Sequence, residues 1–234
     1  LEKAVRFERR FPALAGRILL WGLVAAGIAL TQSRGGTLSA GLTTLALFAL
    51  AIVHSRSKGR RRAGTVAAAL LLGALFAGVA AGAGRFSRFL ELDPRDAGSN
   101  TRTALWKASV EAWKEFPIVG SGLGTFREAF VRVQPRRLRG LVEHAHNDFL
   151  QLAVTGGAVG AALGATLFVS LLVLLLRAWS RQRHREESAV ALAGFGALLS
   201  LTLHGLVDFS LSIPIIPATL ACVLGASWAA GARR

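Results

Sequence analysis

Apolar residues in this chain gather into runs about as long as a membrane-spanning helix, separated by short basic connections and one long mixed one. A helix needs roughly 20 mostly apolar residues to cross the hydrocarbon core of a bilayer. Six segments meet or approach that length, approximately Ala13 to Thr31, Thr37 to Val53, Ala63 to Gly84, Phe149 to Leu176, Ser188 to Val207 and Leu211 to Ala230. The expected fold is therefore all-α, a polytopic transmembrane helix bundle. Residues 1–84 hold three of its helices, 85–147 form a partly helical loop outside the bilayer, and 148–234 hold three more helices and a cytoplasmic tail.

The long connection has a pattern of its own. From Thr101 to Phe116 the apolar residues Trp106, Val110 and Trp113 recur at helical spacing, with Ser99, Asn100 or Thr101 as candidate caps. Pro117 stops that helix. The following Gly120-Ser121-Gly122-Leu123-Gly124 has dinucleotide-loop spacing, but it follows a helix and a proline rather than a strand, so a close-packed turn is expected. Pro214 and Pro217 should kink or break the start of the last spanning helix.

Composition supports a membrane reading. Of the 234 residues 53% are hydrophobic, and the mean hydropathy is +0.48, more apolar sequence than one soluble core of this size hides. The net charge of +15 would suit nucleic acid if the basic residues lined one folded face. Instead they cluster between apolar runs: Lys3, Arg6, Arg9 and Arg10; Arg56, Lys58 and Arg60 to Arg62; Arg177, Arg181, Arg183 and Arg185; Arg233 and Arg234. Alternating through the six spans, these clusters fall on one side, which is then cytoplasmic. No nucleic-acid partner is expected. Cys222 is the single cysteine and excludes an internal disulfide. The lack of Met and the start at Leu1 suggest an excerpt of a longer protein, and no cleavable signal peptide is visible.

Candidate chemistry falls on the opposite face. Arg34, in the Ser33-Arg34-Gly35-Gly36 turn, fits either an interfacial anchor or a site where guanidinium and glycine amides grip a phosphate. Arg102, expected in the first turn of the outer helix, reads as a solvated charge or as part of an anion site. His144, His146 and Asn147 stand where the loop enters the fourth span. An imidazole there suits general base catalysis, because histidine titrates near neutrality; a hydrogen-bonded cap and a metal ligand are the other readings. No third ligand at metal-binding spacing accompanies the pair, and no metal or other cofactor is expected. His204 and Asp208 lie one helical turn apart, either as a pair that fixes the end of the fifth helix or as working groups. No D-x-D pair occurs, so leaving-group charge would fall to arginine.

These residues resemble the O-antigen ligase family, which also includes O-antigen polymerases and protein O-oligosaccharyltransferases. Four pieces carry the resemblance, in order along the chain: the Ser33-Arg34-Gly35 turn; Arg102 with Leu105-Trp106, then Pro117, Gly120, Gly122, Gly124, Thr125 and Phe126; His146-Asn147 followed after nine residues by Gly157 and Gly160, matching H-[NSQ]-x9-G-x-x-G; and His204 to Pro214.

The resemblance implies a metal-independent, inverting glycosyltransferase of the bacterial inner membrane with a periplasmic active face. Its donor would be an undecaprenyl-diphosphate-linked glycan and its acceptor a saccharide or glycolipid. Arginines matching Arg34 and Arg102 would engage the diphosphate, and the histidine matching His146 would activate the acceptor hydroxyl. Asn147, His144, His204 and Asp208 are further substrate-side candidates. Ligase, polymerase and protein-glycosylating members share these motifs. A solute transporter using His204 and Asp208 as a proton relay is the rival of another class, and a noncatalytic envelope scaffold a third.

Overall fold

The computed structural model describes residues 16, 19–28, 30, 31, 33–54, 97–136, 138, 140–181 and 185–232; the expected span Ala63 to Gly84 lies outside them. Every regular element among the described residues is helical, in agreement with the all-α expectation. In chain order they are α1 (Leu19–Ile28), α2 (Arg34–His54), α3 (Ala97–Glu115), α4 (Phe126–Val131), α5 (Asp148–Arg181), α6 (Arg185–Gly205) and α7 (Ile215–Ala232). Three of them are long and apolar enough to cross a membrane, over Arg34–Ile52, Asp148–Arg181 and Glu187–Gly205. The chain divides into two compact units, Leu1–Gly41 with Phe48–Leu92, and Leu42–Leu47 with Asp93–Arg234.

In the first unit the stretch read as a tight turn is a helix start. The Ser33 hydroxyl accepts the Gly36 N–H at 3.0 Å, which makes Ser33 an N-cap and Arg34 the first helical residue of α2.

In the second unit α6 packs between α5 and α7. Small residues set that approach. Ser227 of α7 is 1% exposed and its hydroxyl reaches the Val190 carbonyl of α6 at 3.0 Å, while a Cβ placed on Gly194 would meet the Ser227 hydroxyl at 2.2 Å. The last helix begins as expected from its prolines. A 3-10 turn at Ser210–Ser212 precedes Pro214, and α7 starts at Ile215 with Pro217 in its first turn, where the missing N–H costs nothing.

The helix expected at Thr101 to Phe116 spans Ala97–Glu115 and starts earlier, so Arg102 lies in its second turn and lacks the free backbone amides of a helix N-terminus. Its buried face is centred beside the expected tryptophan stripe. Leu105, Ala108 and Ala112 pack with Phe126, Ala129, Phe130, Ala145 and Val154, and Trp106 and Trp113 flank that core. The alanines allow close backbone approach, whereas each indole sits at the margin so that its N–H finds a carbonyl: Trp113 donates to Pro117 at 3.2 Å and Trp106 to His146 at 3.3 Å.

α5 is not one continuous helix. Gly157 has φ 64 and ψ −166, which breaks it into two segments. The turn after α3 plugs the break. Ser121 and Gly122 donate their N–H groups to the Val154 and Thr155 carbonyls at 3.0 and 2.9 Å, and Ala158 and Val159 donate to Pro117 and Ile118 at 2.8 and 3.1 Å. These four bonds replace those that the break removes, as backbone near a bilayer requires. A Cβ on Gly157 would lie 2.2 Å from the Ile118 carbonyl, and one on Gly120 would lie 2.3 Å from the Thr155 carbonyl carbon. The glycine-rich segment is thus the close-packed turn that its sequence context indicated.

Candidate active site

The chain enters α5 through Ala145, His146 and Asn147, and each is held by a distinct contact. Asn147 caps the helix: its side-chain carbonyl accepts the Leu150 N–H at 2.9 Å, while its amide donates to the Leu206 carbonyl at 2.9 Å, tying the entry of α5 to the exit of α6. Ala145 is 0% exposed and donates its N–H to Gln151 Oε1 at 3.0 Å. Between them His146 takes φ 48, the only non-glycine positive φ among the described residues. Such a conformation costs on the order of 1 kcal/mol or more and persists only where neighbours fix it. Here the Trp106 indole on the His146 carbonyl and the Asn147 cap do so.

That backbone points the imidazole at Asp208, 62 positions further along the chain. His146 Nδ1 lies 3.5 Å from Asp208 Oδ1, and His204 Nε2 lies 3.5 Å from Asp208 Oδ2, so one carboxylate stands between two imidazoles. Both distances exceed an ordinary hydrogen bond, and the geometry at His146 Nδ1 does not qualify as one. Each is a close electrostatic contact between a carboxylate oxygen and an imidazole nitrogen. Asp208 does not belong to α6, which ends at Gly205; it sits in the turn beyond, where the Phe209 N–H donates to Oδ1 at 2.9 Å. The expected His204–Asp208 pair therefore forms across a helix end rather than along a helix face.

Burial holds the His146 imidazole below the ordinary histidine value of 6.5; the Asp208 charge opposes this, and the Arg102 and His144 charges add to it. The result is a neutral imidazole at pH 7 with its Nδ1 toward a carboxylate. A proton on Nδ1, facing that carboxylate, would place the ring's lone pair on Nε2, the state a general base needs. Arg102 is exposed, yet near enough for its charge to act on His146.

His144 supports the site by packing. Its ring stacks on Phe209 at 4.4 Å and 7°, and the same Phe209 meets His146 edge-on at 4.7 Å and 89°. His144 Nδ1 lies 3.3 Å from the Gln151 amide, which in turn donates to Ser212 at 3.1 Å. Asp148 stands with the His144–Asn147 motif in sequence, which gave it no role of its own. It is 7% exposed, accepts the Leu211 N–H at 3.0 Å and donates its own N–H to the Asp208 carbonyl at 3.1 Å, which pins the turn carrying Asp208 to the start of α5. Asp148 and Phe209 were given no role because their partners are far away in sequence, and Gln151 because its local contacts to His144 and Ala145 leave no sequence signature.

His144, His146, Asn147, His204 and Asp208 are thus brought together, with Arg102 nearby. Arg34 is an exposed residue at the head of α2 in the first unit. Among the described residues no group of three or more His, Cys, Asp or Glu is arranged to hold a metal ion.

Apolar helices long enough to cross a bilayer, with a polar cluster gathered at their ends, define a helical membrane protein. The O-antigen ligase family model matches residues 18–165, more than half of the 234-residue chain. The chain belongs to the O-antigen ligase family, and is a glycosyltransferase-like membrane enzyme acting on lipid-linked glycans. The match includes Arg34, Arg102, His146, Gly157 and Gly160, and ends before His204 and Asp208. No curated protein matches the chain.

Proposed function

We propose that the protein transfers an undecaprenyl-diphosphate-linked glycan to a saccharide acceptor on the periplasmic face of the bacterial inner membrane. The observation that carries this reading is the neutral His146 imidazole, its Nδ1 3.5 Å from Asp208. The basic clusters, all on one side when alternated through the expected spans, support the assignment of the active face to the other.

In this reaction His146 Nε2 takes the proton of the acceptor hydroxyl as that oxygen attacks the anomeric carbon. The bond from that carbon to the diphosphate oxygen breaks, and the electron pair leaves with the lipid diphosphate. Asp208 stabilises the imidazolium formed, as a carboxylate does behind a catalytic histidine. Arg34 and Arg102 meet the diphosphate charge in place of a metal ion, and attack opposite the leaving group inverts the anomeric centre. Asn147 and His144 shape the acceptor side through the turn that they stabilise.

The test is glycan transfer by the full-length protein in lipid nanodiscs. An undecaprenyl-diphosphate-linked oligosaccharide serves as donor and a lipid-linked core saccharide as acceptor. His146→Ala should lower kcat by about 10²- to 10⁴-fold, the usual contribution of a positioned base. Arg102→Ala should weaken transfer with Arg102→Lys restoring only part, since a point charge does not replace a bidentate fork. Normal transfer by His146→Ala would end the proposal.

A further inference from the structure

The carboxylate of Asp208 has two oxygens and two imidazole neighbours, and only one of those imidazoles has a part in the proposed chemistry. Oδ1 faces His146 and also accepts the Phe209 N–H at 2.9 Å. Oδ2 has His204 Nε2 at 3.5 Å. A carboxylate held through one oxygen can still turn about its Cβ–Cγ bond, and the group that fixes the other oxygen decides whether Oδ1 stays on His146.

The tautomer of His204 can be argued from its surroundings. Its Nδ1 is buried with no hydrogen-bond partner. A proton there would be a buried donor with no acceptor, which costs on the order of 1–3 kcal/mol. A ring proton therefore belongs on Nε2, which faces Oδ2. His204 is also less exposed than His146, at 22% side-chain exposure against 41%. Asp148, fixed by the Leu211 N–H, also lies near enough for its charge to interact with His204.

We propose that His204 is a positioning residue for glycan transfer, which holds Asp208 through Oδ2 so that Oδ1 keeps the His146 imidazole in its base-competent orientation. The inference rests on the reading of His146 as the base and extends it to a residue outside the family match. His204 touches no substrate in this scheme. Its effect passes through Asp208, and it should appear in kcat while leaving donor and acceptor KM nearly unchanged.

The experiment is a double-mutant cycle in the nanodisc transfer assay. His204→Ala should lower kcat by roughly tenfold with KM within about twofold, and His204→Gln, whose side-chain amide N–H can replace Nε2–H, should recover most of the loss. Adding His204→Ala to Asp208→Asn should cause no further loss, because the carboxylate through which His204 acts is gone. The acid limb of the pH–rate profile should move in the same direction in His204→Ala as in Asp208→Asn. Wild-type kcat in His204→Ala overturns the proposal. So does a loss that Gln does not restore and that adds in full to Asp208→Asn, since that marks a helix-end contact only. His146→Ala run in parallel separates the two levels: if it transfers glycan normally the base assignment itself has failed, whereas a His146-dependent enzyme indifferent to His204 loses only this inference.

Discussion

Two regions of the second unit bury apolar residues by opposite means. Around α3, α4 and the first turns of α5, side chains are enclosed by protein: Phe130, Ala112 and Val154 are 0% exposed. Past the break at Gly157, α5 presents Leu163, Leu167 and Val169 outward at 67%, 57% and 59% exposure. The first region is a core of the kind found in soluble proteins, sealed by close packing against water. The second is apolar on its outside because its solvent is lipid, and its helices approach one another through small residues such as Gly194 and Ser227. The polar cluster lies where the two meet, at the entry of α5 and the exit of α6. Packing on one side gives His146 its fixed and partly desolvated place.

If that contrast is right, equal deletions should have unequal costs. Phe130→Ala should destabilise the protein by about 3–5 kcal/mol, because it empties a site fully closed by α3 and α5. Leu163→Ala removes a side chain that faces lipid and should cost about 0.5 kcal/mol or less. Chemical unfolding in the same detergent micelle compares the two; similar losses would mean that the exposed shaft of α5 is covered by protein instead.

Glycines give a somewhat smaller contrast. Gly157→Ala places a methyl 2.2 Å from the Ile118 carbonyl at a φ that alanine rarely adopts, and should cost about 2–3 kcal/mol and loosen the turn from Pro117 to Gly122. Gly225→Ala, on α7, meets nothing within 4 Å and should be neutral or stabilising by about 0.5–1 kcal/mol. Proteolysis within 117–124 of the folded protein should rise in the first variant only. Equal stability of both would show that the break in α5 is not held as described.

The sequence disclosed these regions unequally. Spans such as α2, α5 and α6 were legible because length and apolar content alone decide what crosses a bilayer. The break in α5 was not, since glycine is common in membrane helices and only contact with residues 117–122 shows why Gly157 is needed. Periodicity located α3, and its tryptophans marked only the margin of the buried face: a large ring with a polar N–H stays at the edge, and alanines make the closest contact. Motif spacing singled out His146, and i,i+4 spacing found His204 with Asp208. The approach of Asp208 to His146 was hidden, because the two lie far apart in sequence and nothing local records a tertiary contact. Asp148 stayed silent for the same reason.

The smallest expected effect is on pH dependence, and it reports on the enclosed side of the comparison. Desolvation lowers the His146 value below 6.5, with Asp208 partly opposing the shift. The neutral ring is the active form of a base, so kcat/KM rises with pH and levels off once His146 is deprotonated. With the transition below 6.5, more than half of the limiting rate is already present at pH 6.5, and the change from there to pH 8 is less than about twofold. Asp208→Asn removes the charge that favours the imidazolium, and the acid limb should move to still lower pH even as the plateau falls. Loosening the enclosure should act in the opposite sense: Phe130→Ala, if it lets water reach His146, should raise the limb toward 6.5. An acid limb above 6.5 in the parent protein would show an imidazole governed by Asp208 rather than by burial, and the packed region would then stabilise the site without setting its proton affinity.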